Sequence, residues 1–249
     1  NDPGIYAIRV NGALLVDSGV TVANVPTIAS TVRANPLAGF SIVSFQGNGS
    51  TNQTVGHGLN AKPSLVIYKD RESASAWRVI AAFINDGYYL GLNSNSAGST
   101  NTAYFGTNTS SVIGISRSNS GIINANGKNI IAYCFAPVEG YSAFGKYTGN
   151  GSSDGPFVLT GFKVAFLLTK RVDSVENWEI RDSTRNPYNR TNLTLFPHSS
   201  GAEDTGSVNF DFLSNGFKVR NNNGSSNANG GTYIYAAFAE HPFKTARAR

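Results

Sequence analysis

The sequence predicts an all-β fold: two tandem β-sandwich domains, jelly-roll-like, preceded by an N-terminal β-hairpin. Three observations carry this. Short runs of β-branched and aromatic residues are bounded throughout by Gly, Asn, Ser and Asp clusters, the texture of strands and turns. No run shows helical periodicity over the length of a helix; the best candidate, Ser73 to Phe83, is short, and its Trp and Val suit a strand equally. The chain also repeats itself at an offset that drifts only from about 101 to about 103 residues.

The hairpin is read from Ile5-Tyr6-Ala7-Ile8-Arg9-Val10 and Ala13-Leu14-Leu15-Val16-Asp17, joined by Asn11-Gly12. Asn-Gly accepts the positive φ of a type I′ turn. An isolated hairpin is unstable in water and must pack on something. Residues 18–39, punctuated by Pro26 and Pro36, read as a connector, so 1–39 forms a hairpin-and-connector unit.

Residues 40–140 and 141–249 are the two sandwich repeats. Phe40 to Phe45 precedes Gly47-Asn48-Gly49-Ser50, as Tyr141 to Tyr147 precedes Gly149-Asn150-Gly151-Ser152. Pro63 to Lys69 matches Val164 to Lys170, and Trp77 matches Trp178. Leu90 and Leu92 align with Leu193 and Leu195, and Asn124-Ala125-Asn126-Gly127 with Asn227-Ala228-Asn229-Gly230. Both closing strands end Phe-Ala, at Phe135 and Phe238. Loop insertions account for the drift in offset.

Composition narrows the function. Apolar residues make up 40% and charged residues 14%. The first figure suffices for a core and argues against disorder. The second is well below the average globular chain, leaving a surface wetted by hydroxyls and amides. That suits an extracellular β-protein better than a cytosolic helical enzyme. Net charge is +5, but the cations are scattered, and only the tail Lys244, Arg247, Arg249 is locally basic. A nucleic-acid interface would concentrate them, so no nucleic-acid partner is expected. No apolar run approaches a membrane span, and no signal peptide is present, so no membrane insertion is expected. With no Met, the sequence reads as a processed product or a piece of something longer. The single cysteine, Cys134, lies in an apolar run and reads as a buried thiol.

No catalytic residue, metal site or cofactor is predicted. His57, His198 and His241 lie in loop-like sequence outside any nucleophile motif, and no metal-ligand spacing occurs. A glycosidase needs paired carboxylates. The densest acids, Asp154, Asp173, Glu176, Glu179, Asp182 and the Glu203-Asp204 pair, read as ordinary solvated acids. Gly47, Gly49, Gly149 and Gly151 read as turn glycines rather than a phosphate loop, which would need a Lys-Ser/Thr ending and a following helix. Trp77, Trp178, Phe135 and Phe238 are repeat-equivalent and read as structural, with surface recognition the alternative for the tryptophans. Aromatic stretches between repeat anchors give the candidate host or glycan contacts: Tyr88, Tyr89, Tyr104, Tyr188 and Arg190.

Several stretches resemble tail-associated structural proteins of tailed bacteriophages. They are Ile28 to Pro36, Gly39 to Val43 with Gly47-Asn48-Gly49, Val55 to Leu59, Tyr147 to Ser152, Asp211 to Lys218 and Gly231 to Ala239. That family carries a domain of unknown function, often in tandem at the C-terminus and frequently after a concanavalin-like lectin domain. The resemblance covers nearly everything from residue 26 onward and brings no catalytic residues with it. It implies that the hairpin ends a preceding lectin-like domain. It also implies a structural, non-enzymatic part of a virion tail or tail fibre, extracellular, contacting other tail proteins and a host-surface glycan or protein. Fibre symmetry suggests a homo-oligomer, a trimer. A lectin-like carbohydrate-binding receptor module, another virion surface or decoration protein, and a depolymerase stand as alternatives.

Overall fold

The computed structural model describes residues 8–10, 13–15, 25–84, 87–100, 106–115, 123–206 and 208–240. β1 (Ile8–Val10) pairs antiparallel with β2 (Ala13–Leu15), Val10 opposite Ala13; the predicted turn is Asn11-Gly12. Those two residues lie outside the described ones, as does the basic tail.

The stretch read as a connector supplies β3 (Ser30–Asn35), which adds to the sheet of the first repeat; that repeat supplies β4 (Phe40–Gln46), β5 (Gln53–Gly56), β6 (Leu65–Asp70), β7 (Arg78–Ala81), β8 (Tyr88–Gly91), β9 (Ser99–Thr100), β10 (Val112–Ile115) and β11 (Asn129–Phe135). The second supplies β12 (Ser142–Thr148), β13 (Phe157–Leu159), β14 (Val164–Arg171), β15 (Trp178–Asp182), β16 (Phe210–Leu213), β17 (Gly216–Val219) and β18 (Thr232–Ala239). Helix among the described residues is confined to a 3-10 turn at Pro36–Ala38 and a short α-helix at Gly224–Asn227. The fold is all-β and antiparallel.

The main sheet of repeat one runs β3-β4-β11-β6-β7-β8-β9, and that of repeat two β12-β18-β14-β15. Exchanging equivalent strands turns β4-β11-β6-β7 into β12-β18-β14-β15, so the sequence repeat is a topological repeat. Each main sheet faces a smaller one, β10-β5 in repeat one and β13-β17-β16 in repeat two.

Strand alternation builds the first two cores. In β11, Ile130, Ala132 and Cys134 point inward to meet Val55 of β5 and Ile113 and Ile115 of β10. Burial pushes the Cys134 thiol up to about 12, so it stays a protonated apolar filler. In β18, Tyr233 and Ala237 meet Val158, Phe210, Phe217 and Val219 from the smaller sheet.

The opposite faces of both main sheets are apolar too, and they bury one another. A third core joins Leu65, Val79, Ala81 and Leu90 of repeat one to Val172, Trp178, Ile234 and Ala236 of repeat two. Among the described residues the two repeats therefore form a stack of four sheets enclosing three cores. Repeat-equivalent Phe135 and Phe238 meet edge-on at 6.3 Å, each also packing on Phe144. Polar contacts reinforce the seam. Trp178 Nε1 donates to Gly91 O (2.8 Å), Gly98 N to Val172 O (2.8 Å) and Glu176 N to Asn95 O (2.9 Å).

The two tryptophans therefore part ways. Trp178 is 1% exposed within the seam, whereas Trp77 is half-buried and stacks on Tyr133 at 6.3 Å. Trp178→Ala is expected to cost about 4 kcal/mol in denaturant unfolding, the scale of a large aromatic removed from a core. Trp77→Ala is expected to cost less than half of that.

Candidate functional site

The conserved spacing of the two turn motifs within each repeat has one cause. Asn124, buried, accepts from Asn48 N through its Oδ1 (3.0 Å) and donates through Nδ2 to Asn48 Oδ1 (3.3 Å) and Ser50 O (2.8 Å). Asn227 repeats this: its Oδ1 accepts from Asn150 N (2.8 Å), and its Nδ2 donates to Asn150 Oδ1 (3.0 Å) and Ser152 O (2.7 Å). The glycines let the turns close. A Cβ on Gly47 would sit 2.3 Å from Ala125 O, and one on Gly149 2.3 Å from Ala228 O. Gly49 and Gly151 hold φ of 67° and 69°, the left-handed region that glycine enters freely. All four glycines are thus structural, in a clasp that ties the turn after β4 or β12 to the turn before β11 or β18. The sequence showed both motifs, but not that each grips the other.

A lysine that gathers backbone carbonyls recurs in the same way. Lys69 Nζ donates to Ser73 O (2.8 Å) and Ser75 O (2.7 Å), gathering the β6–β7 loop around it. Its equivalent Lys170, fully buried, donates to Arg171 O (2.5 Å) and, across the seam, to Asn95 O (3.3 Å). Burial pushes the Lys170 ammonium down to about 8, against the pull of Glu176.

The acids expected to be solvated are mostly engaged. Asp173 pairs with Arg171, Asp182 and Glu203 with Arg185, and exposed Asp154 with Lys218 and Arg220. Glu179 corrects that reading outright. It is 2% exposed, pairs with buried Arg181 at 3.0 Å and accepts from Ser225 Oγ at 2.6 Å. Arg181 lies over the Phe210 ring at 4.3 Å. The equivalent residue in repeat one is Ile80. His57 is buried, Nε2 at 3.2 Å from Thr109 O while Nδ1 accepts from Leu59 N at 3.2 Å, and burial lowers its pKa. Both ring nitrogens are occupied, and the residue is a core histidine. Among the described residues no group of three or more His, Cys, Asp or Glu is placed to hold a metal ion.

The predicted contact residues separate into two kinds. Tyr88 lies on β8 beside the seam and donates to Val172 O (2.7 Å); burial pushes its phenol up to about 12. Tyr89 packs on the first core with Arg78 over its ring at 4.7 Å. Tyr104 lies outside the described residues. Tyr188, 84% exposed, and Arg190, also exposed, stand on the loop between β15 and β16. That loop is pinned. Asn189 between them donates to Phe212 O (2.9 Å) and accepts from Phe212 N (2.9 Å), and Thr191 pairs with Phe210. Asn186 Oδ1 accepts from Asn192 N (3.1 Å) and Leu193 N (2.8 Å). The structure thus holds Tyr188 and Arg190 outward on a firmly bonded ridge beside β16.

A second surface was not legible in the sequence. A groove of about 340 Å³ lies on the outer face of the first main sheet, lined by Ala29, Thr31, Ser44, Gln46, Arg71 and Asn129 among others. A family model described as a domain of unknown function (DUF7483) matches residues 15–242. The chain belongs to this family. No curated protein and no solved structure matches it. The matched span takes in both repeats, so the family unit contains the clasps, the seam, the ridge and the groove together. No helix among the described residues is long and apolar enough to cross a membrane.

Asn124→Asp and Asn227→Asp keep the shape but replace a donor with an acceptor facing carbonyl oxygens. Each is expected to lose about 3 kcal/mol in chemical denaturation, the scale of buried polar groups left unpaired. Lys170 gives a pH signature. With its folded pKa near 8 and its ordinary value at 10.5, the unfolded chain binds the extra proton between them. Stability therefore rises with pH through that window. Denaturation midpoints from pH 8 to 10 are expected to rise in the native protein relative to a Lys170→Met variant, which lacks the titrating group.

Proposed function

We propose that the chain is a structural module of a bacteriophage tail or tail fibre, carried on the virion and presenting its surface to the host. The stretches that resemble phage tail proteins support this reading. So does a physical requirement: a tail part that transmits a contact must not yield at its internal joint. A third apolar core with cross-repeat hydrogen bonds meets that requirement. The observation that carries the host-contact part is the ridge, where Tyr188 is 84% exposed while Asn189 is bonded twice to the strand behind it. A large exposed ring on a fixed backbone loses little entropy when it binds. Homotrimers and neighbouring tail proteins are the partners this role calls for, and repeated display would turn weak contacts into avidity.

Cryo-electron microscopy of particles carrying the chain is expected to place it in the tail or fibre; density in the head shell, or none on the particle, would overturn the proposal. In such particles, Tyr188→Ala with Arg190→Ala is expected to slow adsorption about 10-fold, equivalent to losing roughly 1.4 kcal/mol of contact. Unchanged adsorption would remove the ridge from the contact surface.

A further inference from the structure

The groove on the first main sheet lies beside the seam, on the part of that face left uncovered. Strand registers lay out its floor: Thr31 and Ser44 form one row across β3 and β4, and Gln46 and Asn129 the next across β4 and β11. Arg71 follows β6 and donates its backbone N–H to Asn129 O (2.9 Å). The nearest acid is already engaged, since Glu72 accepts from Asn129 Nδ2 and pairs with Lys128 at 3.5 Å. Asp70 is turned inward, accepting from Ser73 Oγ (2.7 Å) and Glu72 N (2.8 Å). The exposed Arg71 guanidinium therefore has no carboxylate partner among the described residues. Gln46 Nε2 donates to Gly127 O (3.1 Å), which fixes the amide while its oxygen is not so engaged. Beyond the groove lining, Tyr133 of β11 stacks on half-buried Trp77, the residue before β7. At roughly 4.8 Å between strands, β3 to β7 spans about 20 Å, room for a short oligomer.

We propose that this groove binds a polysaccharide segment bearing a carboxylate. The acid is held by Arg71, sugar hydroxyls by Ser44, Thr31, Gln46 and Asn129, and a neighbouring ring by the Trp77–Tyr133 platform. A guanidinium fits a carboxylate through two parallel N–H bonds. Hydroxyls and amides that both donate and accept match a polyol, and the C–H face of a pyranose matches an aromatic plane. A nucleic acid would call for a row of cations, and this lining has a single one, Arg71. The inference goes beyond the tail-module reading and holds whatever assembly carries the chain.

The test is an NMR titration of the full ¹⁵N-labelled chain with tetramers of galacturonate, mannuronate and hyaluronan, each beside its methyl ester, and with inorganic sulfate. At least one acidic tetramer is expected to shift the Ser44 and Asn129 amides together with the Trp77 indole N–H. Esterification or Arg71→Ala is expected to weaken binding about 10-fold. Arg71 is exposed, so an unchanged thermal midpoint verifies the fold of that variant; Ser44→Val is a second variant expected to weaken the same binding. Equal affinity for acid and ester, shifts only outside the groove, or no shift with any tetramer at millimolar concentration would overturn the proposal. Sulfate reproducing the amide shifts, with no tetramer moving the Trp77 indole, would reduce the groove to an anion site and likewise overturn it.

Discussion

The structure depends on two apolar sheet faces hiding each other from water. Each main sheet already buries one face against its smaller partner. Left open, the other would expose Leu65, Val79 and Leu90 in repeat one and Trp178 and Ile234 in repeat two. A patch of that kind is costly on a soluble surface. Closing it turns a pair of sandwiches into one four-layer stack and fixes where everything else can lie. Trp178 becomes the central pillar of the seam, while Trp77 stays outside it, stacked on Tyr133. Tyr88 becomes a strut, while Tyr188, on the far side of repeat two, stays in solvent.

The polar interactions follow from this layering. Inside a stack with three cores, a polar group has to bring its own partners. Asn124 and Asn227 do so by filling their donors and acceptors with turn backbone, and Lys69 and Lys170 by drawing loop carbonyls around an ammonium. Lys170 reaches further than Lys69, taking Asn95 O from the other repeat. One residue inherited in both copies thus serves a local loop in the first and the seam in the second.

How far the sequence revealed this depended on the range of each interaction. Strand texture and the matched motifs gave the all-β class and the correspondence of strands, because those signals lie in short windows. The clasp was visible only as two separate repeated turns, since Asn48 and Asn124 are 76 positions apart. Glu179 was misread because strand alternation distinguishes core from solvent only when one face of the sheet is wet. In β15 both faces are covered, so Trp178 points into the seam while Glu179 and Arg181 point into the second core. Tyr88 and Tyr89 looked like loop residues because glycine and asparagine surround them, yet they lie on β8, where Tyr89 packs on the core of its own repeat and Tyr88 meets the other. The groove had no sequence signal at all, since its residues come from β3, β4, β11 and the end of β6 and are ordinary one by one.

The meeting of Phe135 with Phe238 carries a further consequence. Equivalent residues touch at this one point, yet the seam as a whole is not two-fold: Trp178 lies within it and its equivalent Trp77 does not. The association is intramolecular, because only residues 136–141 separate β11 from β12. The tether holds the two halves at an effective concentration on the order of millimolar, so the pairing is independent of how dilute the protein becomes. Each half therefore offers the seam a different part of the same repeated face.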